Sequence, residues 1–175
     1  MIKLIVENPR RIKQATKLIE SKLKIKISHN NKETFEIKGN ELDEFLCEKI
    51  LTAIDFGFNA EDALILKNDD FSLQFVNIKS HTKKNNLQLI RARLIGREGR
   101  AKATIEELTG SIIVLHENKI GIIVDSLHLD SVVQALVSII QGSKHANVFA
   151  YLEKQNRLNR NIDEDDLGLK IKVKN

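Results

Sequence analysis

The residues with most chemistry to offer stand together in the middle of the chain, at Gly96-Arg97-Glu98-Gly99. Two glycines three apart are a weak signal alone. Without a Cβ, however, the main chain can turn tightly and approach another backbone closely, as a loop that clamps single-stranded nucleic acid must. The surrounding charge suits that use. From Lys79 to Lys102 the cations are Lys79, Lys83, Lys84, Arg91, Arg93, Arg97, Arg100 and Lys102, opposed only by Glu98, a net +7 within a 175-residue chain whose total is +4. The basic charge is therefore local, and it calls for an anionic partner at this segment.

The stretch after the loop is charged against a helix dipole. Arg97, Arg100 and Lys102 sit near its start and Glu106-Glu107 toward its end, and each misplaced exposed charge costs about 0.3–1 kcal/mol. A phosphate at that N-terminus would offset the cost, since backbone N–H groups and cations would converge on it. Arg91 and Arg93 extend the basic surface ahead of the loop. Reading bases would also need an aliphatic floor, for which Ile95, Ala103 and Ile113 are candidates; Ile95 and Ala103 could equally serve as ordinary core, and Ile113 suits core better than floor.

Other chemistry is sparse. His29, His81, His116, His128 and His145 never pair at the i, i+4 spacing of a zinc-protease helix. Cys47 is the only cysteine, so neither a disulfide nor a Cys-x-x-Cys site can form, and a reducing, cytoplasmic compartment is expected. Asp163-Glu164-Asp165-Asp166 reads as a solvated acidic run. With no Walker loop, nucleophile elbow or paired catalytic carboxylates, the expectation is a non-enzyme without metal or cofactor. The most apolar run, Val132–Ile140, is too short for the ~20 residues of a membrane span.

These residues need elements to position them. Met1–Glu7 reads as a strand, and Asn8-Pro9 as the cap and first position of a helix over 10–23. Ile25/Ile27 and Phe35/Ile37 alternate as two strands around an Asn30-Asn31 turn. A helix over 41–56 follows, with Leu42, Phe45, Leu46, Ile50, Ala53 and Ile54 expected inward, and ends at Gly57. The same order returns about 86 residues later: a strand at 73–78, helices over 87–95 and 100–109 flanking the loop, strands at 112–115 and 120–124, and a helix over 127–141. Antiparallel sheets backed by helices bury such faces well. The expected organisation is an α+β pair of units, 1–66 and 67–160, the latter with a C-terminal helix, followed by a flexible tail at 161–175.

Arg91–Thr109, with Leu94-Ile95-Gly96-Arg97-Glu98-Gly99 at its centre, resembles the KH core of the Krr and partner-of-Nob ribosome-assembly proteins, particularly the archaeal form. Ala53–Asn59 is similar to that family's link out of its first KH unit, and Gly142–His145 with Val148-Phe149 to its closing segment. The resemblance implies tandem type I KH folds and binding of single-stranded RNA near the 3′ end of small-subunit rRNA. It further implies work beside a Nob-type endonuclease in late maturation. A protein scaffold, for instance for translation initiation factor two, with a vestigial RNA loop, is the alternative. One departure stands out: Val6-Glu7-Asn8-Pro9-Arg10 passes from strand to helix without Gly-x-x-Gly. The first unit is thus expected to be degenerate, orienting the protein or docking a partner, with Arg10, Arg11 and Lys13 giving at most unspecific phosphate contact.

Overall fold

The computed structural model describes residues 1–29 and 33–166; the Asn30-Asn31 turn and the end of the expected tail lie outside them. Strand β1 (Ile2–Ile5) leads into helix α1 (Pro9–Lys22), strands β2 (Lys26–His29) and β3 (Thr34–Lys38), and helix α2 (Glu41–Phe56). A short helix α3 (Ala60–Ala63) and a 3-10 turn (Leu64–Lys67) connect to β4 (Phe71–Asn77). Then come α4 (Leu87–Ile95), a 3-10 turn at Arg97–Gly99, α5 (Arg100–Thr109), β5 (Ile112–His116), β6 (Lys119–Asp125), α6 (Leu129–Gln141) and α7 (His145–Asp166).

Two three-stranded antiparallel sheets result, ordered β1-β3-β2 and β4-β6-β5. In both the last strand is central and the opening strand is an edge, so the repeat read from the pattern is a repeat of topology. Ile37 pairs with Ile2 on one side and Ile27 on the other, which fixes one apolar face of the first sheet.

The helices follow their local signals. Asn40 accepts the Asp43 N–H at 2.9 Å and Asn86 accepts that of Leu89 at 3.1 Å, starting α2 and α4. Gly110, at φ 64°, closes α5 in the left-handed conformation. α7 extends through Asp166, so the acidic run continues a helix.

The first compact unit comprises Met1–Val76 and Ile112–Ile123; the second comprises Asn77–Ser111 and the chain from Val124. The hairpin of β5 and most of β6 thus groups with the first half. Its anchor is aromatic: a Cβ on Gly121 would stand 2.7 Å from both Phe56 and Phe58 rings, and Phe56 lies 4.8 Å from Phe75 and 5.8 Å from His116 between ring centroids. The core of this unit joins Ile12, Ile19, Phe35, Ile37, Ile50 and Ile54 with Ile123.

One expected face is wrong. Leu42 and Phe45 are 82% and 66% exposed. The inward stripe of α2 runs through Cys47, Ile50, Leu51 and Ile54, and one turn earlier that stripe falls on Glu44. Buried Glu44 pairs with the N-terminal ammonium at 2.6 Å and, with smaller effect, accepts the Gly39 N–H at 3.0 Å, and both hold its carboxyl below the usual range. The polar partnership takes the place that apolar periodicity assigned to Leu42 and Phe45.

Candidate nucleic-acid interface

The loop between α4 and α5 lies wholly in the second unit. Three of its four residues have positive φ: Gly96 at 78°, Glu98 at 55° and Gly99 at 78°. For Glu98 this left-handed backbone costs roughly 1–2 kcal/mol, a strain of the kind kept where backbone shape has a use. Gly96 is needed for a second reason. A Cβ there would meet Ala101 Cβ at 2.5 Å and Ala101 N at 2.6 Å, whereas one on Gly99 would meet nothing within 4 Å. The first glycine lets the turn close onto α5; the second leaves its outer surface bare.

Gly99 is the N-cap of α5, with no side-chain cap and no acid in the first turn. The unfavourable charging expected from sequence is therefore real. Arg97 and Arg100 are exposed, Arg100 pairing with Glu98 at 2.7 Å on the open surface, a contact worth little. Lys102 is partly screened by Glu106, 3.0 Å away one turn on.

Not every candidate stands free. The Arg93 guanidinium donates to the Ser143 carbonyl at 2.7 Å while its own carbonyl lies 2.9 Å from His145 Nε2, so Arg93 ties α4 to the α6–α7 junction. Lys84 and Arg93 both approach Gly142. Arg91 is partly exposed, Ile95 is 41% exposed and Ala103 is open to solvent. Ile113 differs: it is 1% exposed, belongs to the first unit and pairs with Ile122, so its side chain has no surface to present.

The connection β1–α1 is built otherwise. Asp55 on α2 accepts the N–H groups of Glu7 at 3.0 Å and Asn8 at 2.6 Å, and the Asn8 amide donates to the Asp55 carbonyl at 2.9 Å. Arg11 donates to the carbonyls of Gly57 and Phe58 at 2.7 and 3.1 Å, so it serves the end of α2 instead of facing an anion.

Residues 72–157 match the family model for the second KH domain of PNO1, a eukaryotic type KH-domain (KH-domain type I). A KH domain-containing protein of Methanocaldococcus jannaschii is 28% identical over 145 residues, covering 79% of this chain and 64% of that protein. The pre-rRNA-processing protein PNO1 of Debaryomyces hansenii is 32% identical over 139 residues, covering 74% and 54%. A chain of the a/eIF2alpha–aDim2p–rRNA complex from Pyrococcus horikoshii is 26% identical with a TM-score of 0.77, over 89% of this chain and 93% of that one.

Along most of its length the chain is homologous to the Dim2p/Pno1 KH-domain proteins. It spans 64% and 54% of the length of the two relatives compared by sequence. Within this KH fold the Gly96–Gly99 loop joins α4 and α5 of the second repeat, as the residue pattern predicts.

Sequence reasoning about the loop passed over two neighbours. His145 and Phe149 on α7 face it across a depression of about 220 Å³, together with Gly96, Arg97, Arg100 and Ala101. Their rings lie 6.0 Å apart, tilted by 37°. The available signal was scarcity: no aromatic residue occurs from Leu87 to Thr109. Cys47, by contrast, is inert core; burial, with a smaller effect of the Glu20 charge, pushes its thiol up to about 12. Among the described residues no three His, Cys, Asp or Glu gather as a metal site, and no helix is long and apolar enough to cross a membrane.

Proposed function

We propose that this chain is a cytoplasmic RNA-binding factor of small-subunit ribosome assembly, gripping single-stranded rRNA near its 3′ end through the second KH repeat and assisting late maturation. The observation that carries this reading is the loop itself: glycine-permitted backbone at an uncapped, acid-free helix N-terminus, bordered by Arg97, Arg100 and Lys102. Gly96 through Gly99 supply the clamp, Arg91 and Arg93 flank it, and Ile95 and Ala103 offer exposed aliphatic surface to a base. The relatives support the substrate: PNO1 is a pre-rRNA-processing protein, and aDim2p occurs in a complex with rRNA and a/eIF2alpha. A Nob-type endonuclease and initiation factor two are the protein partners this reading implies.

The first repeat lacks the clamp and serves docking or orientation. Its β1–α1 link is short and pinned by Asp55, and its cation Arg11 is committed to backbone carbonyls. Exposed Leu42 and Phe45 give this repeat apolar surface for a protein.

Titration of a single-stranded RNA from the 3′ end of small-subunit rRNA, at several salt concentrations, tests the proposal. Gly99→Asp adds a negative charge where there is room for it, and should weaken binding by at least about tenfold without unfolding the protein. Arg10→Ala with Lys13→Ala should change affinity less than about twofold. Binding indifferent to Gly99→Asp would favour the scaffold reading.

A further inference from the structure

Single-stranded RNA is held by stacking of bases on aromatic or guanidinium planes as well as by contacts to its backbone. The segment that forms the clamp, Leu87–Thr109, contains no aromatic side chain, and the second unit holds only two residues of the Phe/Tyr/Trp class, Phe149 and Tyr151. Phe149 is the one that lines the depression beside the loop.

The depression has the features of a place for one flat ring. Its volume of about 220 Å³ falls below the ~300–1,000 Å³ of sites that enclose a drug-sized ligand. Its lining includes the buried Ala101, the side-chain-free Gly96 and the half-buried Phe149 ring. His145 beside it is fixed in orientation by its 2.9 Å contact to the Arg93 carbonyl. Arg97 and Arg100 bring two exposed guanidiniums to its border. Thr104 also lines it; its hydroxyl donates to the Arg100 carbonyl at 2.8 Å, which leaves the oxygen free to accept from an amino group.

We propose that this depression is a stacking subsite: one base of the strand held by the Gly96–Gly99 loop leaves the path of its neighbours and lies against Phe149, with Arg97 and Arg100 on the adjoining phosphates. The proposal rests on the reading of the loop as an RNA clamp. It deepens that reading by giving helix α7, which follows the repeat, a direct part in binding. A stack on a phenyl ring tolerates any base, so the subsite adds affinity for single strands over duplexes more than it adds sequence preference.

The chain contains no Trp, so Phe149→Trp places one fluorophore at the subsite. With single-stranded RNA from the 3′ end of small-subunit rRNA, the expected results are affinity close to that of the unaltered protein and quenched Trp emission. A series of the same RNA with one abasic position each should restore emission at one position and weaken binding there. Phe149→Leu should weaken binding about tenfold while leaving the salt dependence unchanged, since no phosphate contact is removed. If Phe149→Leu fails to fold, the Trp variant decides alone. Unquenched Trp emission in a protein that still binds RNA, or unweakened binding by folded Phe149→Leu, overturns the subsite and leaves the depression to a protein side chain. If Gly99→Asp abolishes binding in that same protein, only the subsite falls; if Gly99→Asp has no effect, the clamp reading falls instead.

Discussion

A Cβ placed on Gly96 would stand 2.5 Å from the Cβ of Ala101, so the loop closes on its own helix at the first glycine and at no other. The two glycines of one motif therefore have different physical duties. Gly96 makes the turn possible, and Gly99 keeps the exposed face of the turn free.

Gly96→Ala should destabilise the protein by roughly 2–4 kcal/mol, combining the penalty of a positive-φ, extended backbone (φ 78°, ψ 174°) that essentially only glycine adopts with overpacking against main chain. Gly99→Ala carries only the backbone penalty, roughly 1 kcal/mol. Urea denaturation of the two variants reads the difference directly, and equal losses would contradict the assigned duties.

Arg97 and Arg11 should separate RNA binding from stability. Arg97→Ala removes an exposed cation beside the clamp and should lower the salt slope of single-stranded RNA binding by about 0.7 with unfolding unchanged. Arg11→Ala removes donors to the Gly57 and Phe58 carbonyls; it should cost about 1–2 kcal/mol in urea denaturation and leave the salt slope alone.

Gly121→Ala tests the aromatic anchor of the first unit. The added methyl meets Phe56 and Phe58 at 2.7 Å, and a loss of about 1–3 kcal/mol is expected. A variant as stable as the parent would mean that those rings move aside freely.

Cys47 should resist thiol reagents in the native protein at neutral pH and react only on unfolding. Its folded thiol is pushed up from 9.0 to about 12, so between those values the unfolded chain has lost the proton that the folded one keeps. Fewer protons on the unfolded state make stability fall as pH rises. The contribution is fully present below about pH 9 and disappears toward pH 12, and Cys47→Ser should abolish this dependence in alkaline denaturation.

Much of the protein was legible along the chain because the signals are local. Asn8-Pro9 at a helix start, Gly57 and Gly110 at helix ends, and alternation at Ile25/Ile27 and Phe35/Ile37 depend on neighbours within a turn or a strand. The loop and its charge are equally local, since glycines three apart and eight cations within 24 positions need no fold to be recognised.

What the sequence by itself determined, then, is the order of elements, their repeat, and the position of the basic glycine loop. Tertiary structure alone decided which surfaces remain. Ile113 and Ile95 are both isoleucines that the sequence offered for the same aliphatic floor, yet one is buried and the other 41% exposed. Leu42 and Phe45 lost the interior to Glu44 because a carboxylate there meets an ammonium and an amide N–H. The β5–β6 hairpin groups with residues far earlier in the chain because Gly121 leaves room for Phe56 and Phe58. Phe149, some 50 residues beyond Arg97, arrives at the loop because α7 folds back along α5. Burial and adjacency are set by what covers a side chain, and the covering groups here lie dozens of residues away, beyond the reach of any local pattern.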